Sequence, residues 1–206
     1  MAADPIEHRR WIAGAAATAL VGSAIVARQH PPPGWELALT EWINGAPDRV
    51  ALMLYPVMQL GTLLAPIVLA GGILLVTRDR LLAAATLLVG LATWFAAKGV
   101  KELFGRGRPP EYLPDIDVRE GAGTGLGFVS GHSSVAAATA VIAIAVVPRR
   151  FRPLVVVLAG LVGVARVVHG VHLPADVVGG WAFGTLLGLG AVAIVDHVRR
   201  RPPHTT

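Results

Sequence analysis

The sequence predicts an all-α polytopic membrane protein, with six transmembrane helices and one or two short interfacial helices. Three observations carry this. Of 206 residues, 54% are hydrophobic and only 15% charged, whereas soluble domains carry about a quarter charged residues. The apolar residues gather in blocks of the roughly 17–25 residues that cross a hydrocarbon core, apolar around the whole helix instead of along one stripe. The Lys and Arg residues fall in short clusters between these blocks. Despite a net charge of +5 and a pI near 10.7, that is a membrane-topology pattern and not the single basic patch that nucleic acid selects. No nucleic-acid partner is expected. The absence of cysteine removes a disulfide framework, a thiolate metal site and a cysteine nucleophile together.

The elements follow in order. The first apolar block, 11–27, comes after Arg9 and Arg10. Its length, the lack of a small-x-small cleavage site before Arg28 and the further spans make it a retained signal anchor. Pro31, Pro32 and Pro33 stop any helix. The stretch that follows, with Trp35, Glu36, Leu37, Leu39, Trp42 and Ile43 near helical spacing, suits a short helix at the membrane interface. The second span lies within 57–77, with 52–55 as a lead-in turn or interfacial helix. Arg78, Asp79 and Arg80 form a polar turn before the third span, 81–103. A Gly- and Pro-rich loop, 105–127, carries Glu111, Asp115, Asp117 and Glu120. The fourth span, 132–147, ends at Pro148. A basic turn with Arg149, Arg150 and Arg152 leads to the fifth, 154–168. The sixth is 176–195, and Arg199, Arg200 and Arg201 begin the tail. Gly160, Gly163, Gly179, Gly180, Gly184 and Gly188 are expected at close helix contacts, with Gly180-x3-Gly184-x3-Gly188 forming one face of the sixth helix. There is no internal repeat. Residues 1–206 read as one membrane-embedded domain, with a motif-bearing core over about 55–195 and a short cytoplasmic tail, 196–206.

Six spans place both termini on one side. Ten of the eighteen Lys and Arg residues fall there, at positions 9, 10, 78, 80, 149, 150, 152, 199, 200 and 201. The positive-inside rule makes that side cytoplasmic. The loop 105–127 and the turn 169–175 then face outward from the cell (plasma) membrane.

Ionisable residues at membrane depth are costly and usually mark function. Three clusters map to the outer face: Lys101 to Pro109, Ser130 to Ser134, and Arg166 to Asp176. Each has a plainer reading alone. Lys101 and Arg108 read as cations that snorkel to headgroups, and Ser130 as a helix N-cap. Arg166, after a run of Val, Leu, Ala and Gly, needs an anionic partner, and Asp176 could be that partner in a structural ion pair. Together the clusters form a coherent site. Lys101, Arg108 and Arg166 suit a dianionic phosphate, and the amides around Ser130, Gly131 and His132 at a helix start suit an anion. His172 and Asp176, four apart, share a helical face. The carboxylate can hold one imidazole nitrogen while the other attacks phosphorus. His132 is left as proton donor to the departing alkoxide.

The pattern Lys-x6-Arg-Pro, Ser-Gly-His, then Arg-x5-His-x3-Asp resembles the type 2 phosphatidic acid phosphatase family, in its membrane branch, which is related to the vanadium haloperoxidases. The resemblance covers about residues 55–195. It implies His172 as a nucleophile that forms a phosphohistidine, Asp176 as its orienting acid, and His132 as proton donor and later helper of the attacking water. It implies Lys101, Arg108, Ser130, Gly131 and Arg166 as the phosphate cradle, with no metal and no cofactor. Two positions depart from the family: Val129 stands where it usually has proline, and Ala165 where it usually has serine. Both are expected to alter turn rigidity or a secondary phosphate contact without abolishing activity. His169 reads as a plain interfacial histidine rather than a pocket residue.

The activity expected is metal-independent hydrolysis of a lipid phosphomonoester or diphosphate. Candidate substrates are a polyprenyl diphosphate such as undecaprenyl diphosphate, phosphatidic acid and phosphatidylglycerol phosphate. The Ala-, Arg- and Gly-rich usage looks like that of a GC-rich bacterial genome. The alternatives are a membrane phosphotransferase that passes the phosphoryl group to a lipid or sugar acceptor, and a non-enzymatic transporter whose buried charges are merely paired. Haloperoxidase activity is not expected, because those relatives are soluble.

Overall fold

A computed structural model describes residues 5–121 and 123–200. Arg201 and the rest of the tail beyond it lie outside the described residues. All regular structure among the described residues is helical: α1 (Pro5–Ala27), α2 (Gly34–Asn44), α3 (Asp48–Met58), α4 (Leu64–Thr77), α5 (Arg80–Phe104), α6 (Pro109–Tyr112), α7 (Gly131–Val146), α8 (Arg152–Val168) and α9 (Pro174–Arg200). Short 3₁₀ turns, Gln59–Gly61 and Arg149–Phe151, precede α4 and α8. Four helical segments are long and apolar enough to cross a membrane by length and composition, and a bent pair makes a fifth. The fourth expected span, α7, has only 16 residues.

Local sequence explains most boundaries. Asp79 caps α5, its carboxylate accepting the Leu82 N–H at 3.0 Å, and Gly105 ends that helix at φ 59°, a conformation cheap only for glycine. Ser130 precedes α7, and Pro148 stops the chain from continuing it. The second expected span is not one straight helix. α3 and α4 meet at 62° across a break at Thr62 and Leu63. Thr62 is extended there, its hydroxyl donating to the Gln59 carbonyl at 2.7 Å and accepting the Leu64 N–H at 3.3 Å. With 14 residues, α4 alone is about 21 Å long, short of the roughly 30 Å core. The break presses Gly61 onto α7: a Cβ there would lie 2.7 Å from the His132 carbonyl oxygen.

Close helix contact is built from the glycines of α9. A Cβ at Gly180 would meet the Ser130 carbonyl at 2.6 Å, one at Gly184 would strike the Ser134 backbone, and one at Gly188 would meet the Ala138 carbonyl at 2.9 Å. The Gly-x3-Gly-x3-Gly face therefore lets α9 lie against α7. On another face Gly179 admits Phe128 and Ser23, so α1 also packs on α9, antiparallel to it, with Arg9 bonding Asp196 at the far end at 2.6 Å. Gly163 makes room for Trp181 and Val177. Gly160 departs from expectation: nothing lies within 4 Å of a Cβ built there, although the Trp181 indole of α9 bonds the neighbouring Ala159 carbonyl at 3.0 Å.

Candidate active site

Four helix ends and two loops bring the site together at one end of the bundle. Lys101 sits in the last turn of α5. Its ammonium donates to the carbonyls of Leu126 at 2.8 Å and Gly127 at 2.7 Å, and the Arg108 Nε–H reaches Leu126 at a long 3.4 Å. The Gly127 amide returns a bond to the Arg106 carbonyl at 2.7 Å. The segment before α7 is thus pinned to the segment after α5. Gly127 must be small, since a Cβ would lie 2.6 Å from the Asp176 carboxylate.

Ser130 caps α7 from a fully buried position. Its amide donates to the Asp176 carbonyl at 2.9 Å, and its hydroxyl accepts from the Ser133 hydroxyl at 3.1 Å. The Ser130 amide is therefore already used. The Gly131 and His132 amides, in the first turn, have no partner within the helix and carry its positive end. The His132 ring lies edge-on to Trp94, with centroids 6.0 Å apart.

His172 occupies the turn between α8 and α9, with Asp176 one turn into α9; they are 2% and 0% exposed. His172 Nδ1 bonds Asp176 Oδ2 at 3.3 Å, and the same oxygen accepts the Leu173 N–H at 3.0 Å. Burial, then the charges of Lys101, Arg166 and Arg108, hold the His172 imidazole well below its usual range. It is neutral at physiological pH. With Nδ1–H donating to the carboxylate, Nε2 carries a free lone pair. The same charges show that Lys101, Arg108, Arg166 and His132 all lie within electrostatic reach of His172.

The structural ion pair that Asp176 offers Arg166 as the plainer reading is not formed. Arg166 instead bonds Glu120, from the loop after α6, and contacts the Met58 sulfur at 3.2 Å. Asp176 has another cation, Arg106, whose guanidinium donates to Oδ1 at 3.1 Å and also grips Glu36 of α2. Neither Arg106 nor Glu36 was marked by motif spacing. The available hints were an arginine inside Gly-Arg-Gly-Arg and a glutamate on the buried side of an interfacial stretch, spaced four apart with Thr40 and Asn44. His169 is also not interfacial: it is 2% exposed, bonds the Ala165 carbonyl through Nδ1 at 2.7 Å and packs near Tyr55. Val129 and Ala165 are fully buried. Among the described residues, no group of three or more His, Asp or Glu is placed to hold a metal ion.

The acidic loop is tied down. Arg119 donates to the carbonyls of Asn44 at 2.7 Å, Val168 at 2.8 Å and Ala46 at 3.1 Å. Asn44 in turn exchanges bonds with Asp117 at 2.8 and 2.9 Å. This places Glu120 at the rim, over Arg166.

Two arginines and a lysine thus lie within electrostatic reach of a carboxylate-oriented histidine on an all-helical apolar bundle. The chain belongs to the PAP2 superfamily, whose family model matches residues 80–200. Its fold is similar to that of the transmembrane PAP2-type phosphatidylglycerolphosphate phosphatase from Bacillus subtilis, with a TM-score of 0.71 and 24% identity over 90% of this chain and 98% of that one. It is also similar to Aquifex aeolicus LpxE, with a TM-score of 0.69 and 20% identity over 76% of this chain and 94% of that one. No curated protein sequence matches the chain.

Proposed function

We propose that this protein is an integral membrane phosphatase that hydrolyses a lipid phosphomonoester or diphosphate through a phosphohistidine. The observation that carries the reading is the His172–Asp176 pair, neutral at its free nitrogen and facing Lys101, Arg108, Arg166 and His132. In this reading Nε2 of His172 attacks phosphorus as the bond to the leaving oxygen breaks, and His132 gives that oxygen a proton. Water, its proton taken by His132, then attacks the phosphorus–nitrogen bond and releases inorganic phosphate. Lys101, Arg108, Arg166, Ser130 and the Gly131 amide hold the phosphate and stabilise charge in the transition state.

The bundle supports six crossings, with α1, the bent α3–α4 pair, α5, α7, α8 and α9 as the spans of one domain over residues 1–206. A short α7 is tolerable because its flanks are covered by protein and not by lipid. The basic clusters support cytoplasmic termini and a site on the outer face. In a chain without native cysteine, Asp115→Cys should react with a membrane-impermeant label on intact cells, and Arg149→Cys should not. The reverse pattern would invert the topology.

The substrate is a lipid phosphate from the surrounding bilayer: phosphatidic acid, phosphatidylglycerol phosphate or a polyprenyl diphosphate. The test is phosphate release by the purified protein in detergent, with EDTA present and the three lipids side by side. Release that His172→Ala abolishes is the expected result. Release that survives His172→Ala would remove the histidine from its role. A phosphorylated acceptor in place of free phosphate would make the protein a transferase.

A further inference from the structure

The inner face of α2 is polar and the outer face aromatic, the reverse of a helix that merely covers a core. Glu36, Thr40 and Asn44, spaced four apart, are 0%, 0% and 4% exposed, whereas Trp35 and Trp42 are 57% and 78% exposed. Tryptophans of this kind anchor a helix at the membrane interface. The buried polar face must therefore be satisfied by protein: Thr40 bonds the Glu36 carbonyl within α2 at 2.7 Å, and Asn44 and Glu36 reach the elements that carry the site. Asn44 bonds the Val168 carbonyl at the end of α8 at 3.0 Å. One oxygen of Glu36 accepts the Ala175 N–H at 2.9 Å, and the other grips Arg106.

Arg106 bridges two carboxylates, each 70 residues away in sequence, and all three side chains are fully buried. Every carboxylate oxygen in the cluster is occupied: Glu36 by Ala175 and Arg106, Asp176 by Arg106, Leu173 and His172. The formal charge of the three groups sums to −1. A guanidinium paired with Asp176 alone would neutralise the carboxylate that must stabilise a phosphorylated, cationic imidazole. Two carboxylates without the guanidinium would repel until one took up a proton. The set of three avoids both.

We propose that Glu36 and Arg106 are positioning residues: Arg106 fixes the rotamer of Asp176, and Glu36 shares the guanidinium so that Asp176 keeps its negative charge for His172. This deepens the phosphohistidine reading and rests on it. α2 thereby links the membrane interface to the orientation of the nucleophile.

The test uses the full chain in detergent, with the three lipid phosphates above as substrates and inorganic phosphate as a competitive inhibitor. Glu36→Gln keeps the shape and one acceptor oxygen but loses the charge; kcat should fall about tenfold, within the range for groups that support a catalytic residue. KM and inhibition by inorganic phosphate should stay within about twofold, because the cradle is untouched. Arg106→Gln should lose about a hundredfold in kcat. Glu36→Gln/Arg106→Gln should recover about tenfold of that loss, since the repelling carboxylate has gone. A purely structural role would move phosphate inhibition together with kcat and would show no recovery in the double variant; either result overturns the proposal. Unchanged kcat in Glu36→Gln overturns it too, with the phosphohistidine reading left standing. No release by the wild-type protein overturns both.

Discussion

Two buried arginines meet the active site, and they are held in opposite ways. Arg106 lies at its floor, clamped between Glu36 and Asp176, with all three side chains 0% exposed. Arg166 lies at its rim, 5% exposed, and its acidic partner Glu120 is 29% exposed on a loop. The floor has no route by which either carboxylate can be exchanged for another anion. At the rim, a carboxylate in touch with solvent occupies the guanidinium that phosphate is expected to take. On the proposed reading, one arginine supports the nucleophile, and the other is a binding group kept occupied until a ligand displaces its partner.

The largest effect expected from this contrast is on stability. Arg106→Ala leaves two carboxylates buried without their cation and should cost about 3–5 kcal/mol. Arg166→Ala lets Glu120 turn into water and should cost about 1 kcal/mol, because the remaining carboxylate is already in touch with solvent. Denaturant unfolding of the two variants in the same detergent measures the difference; equal losses would erase the distinction. Activity should fall in both. Arg166→Ala removes a charged bond to phosphate and should lower kcat/KM about a hundredfold, read from initial rates of phosphate release. A smaller change sharpens the rim reading: Glu120→Gln should lower KM about three- to tenfold, because a neutral amide competes less well for the guanidinium. A higher KM would mean that Glu120 assists binding. The smallest effect is a titration that does not occur. Since His172 is held below its usual range by burial and by nearby cations, its neutral form persists to lower pH than that of a free imidazole. Its ¹⁵N resonances, assigned by comparison with His172→Asn, should stay those of the neutral ring as pH falls through about 6.5. Protonation in that interval would contradict the buried, cation-flanked environment.

Much of the site was legible because its information is local. His172 and Asp176 are one helical turn apart, so spacing alone places them together. Lys101 and Arg108 flank a Gly-rich helix end, and Ser130 opens an apolar helix. The partners of these residues were not legible. An arginine after an apolar run requires an anion, but Asp176, Glu120 and Glu36 were all available, and only packing assigned Glu120 to Arg166 and left Asp176 to Arg106. His169 looked like an interfacial residue because nothing local predicts that Tyr55 and the turn of α8 enclose it. The bend between α3 and α4 was hidden for a related reason. A hydropathy run records how apolar a segment is, not where Thr62 leaves the helix to bring Gly61 against His132.

The glycines draw the same line. Spacing identified a face at Gly180, Gly184 and Gly188, and the face does meet α7. The same rule put Gly160 at a contact, where a Cβ would meet only open space. Small residues permit close approach but do not compel it. By itself the sequence determined the apolar, all-helical class and the three clusters of chemistry, because hydropathy and helical period act over a few turns. Tertiary structure decided which charge pairs with which, where a span bends, and that α2 brings Glu36 to Arg106. Those outcomes depend on groups about seventy residues apart meeting in a medium where no buried charge can be left alone.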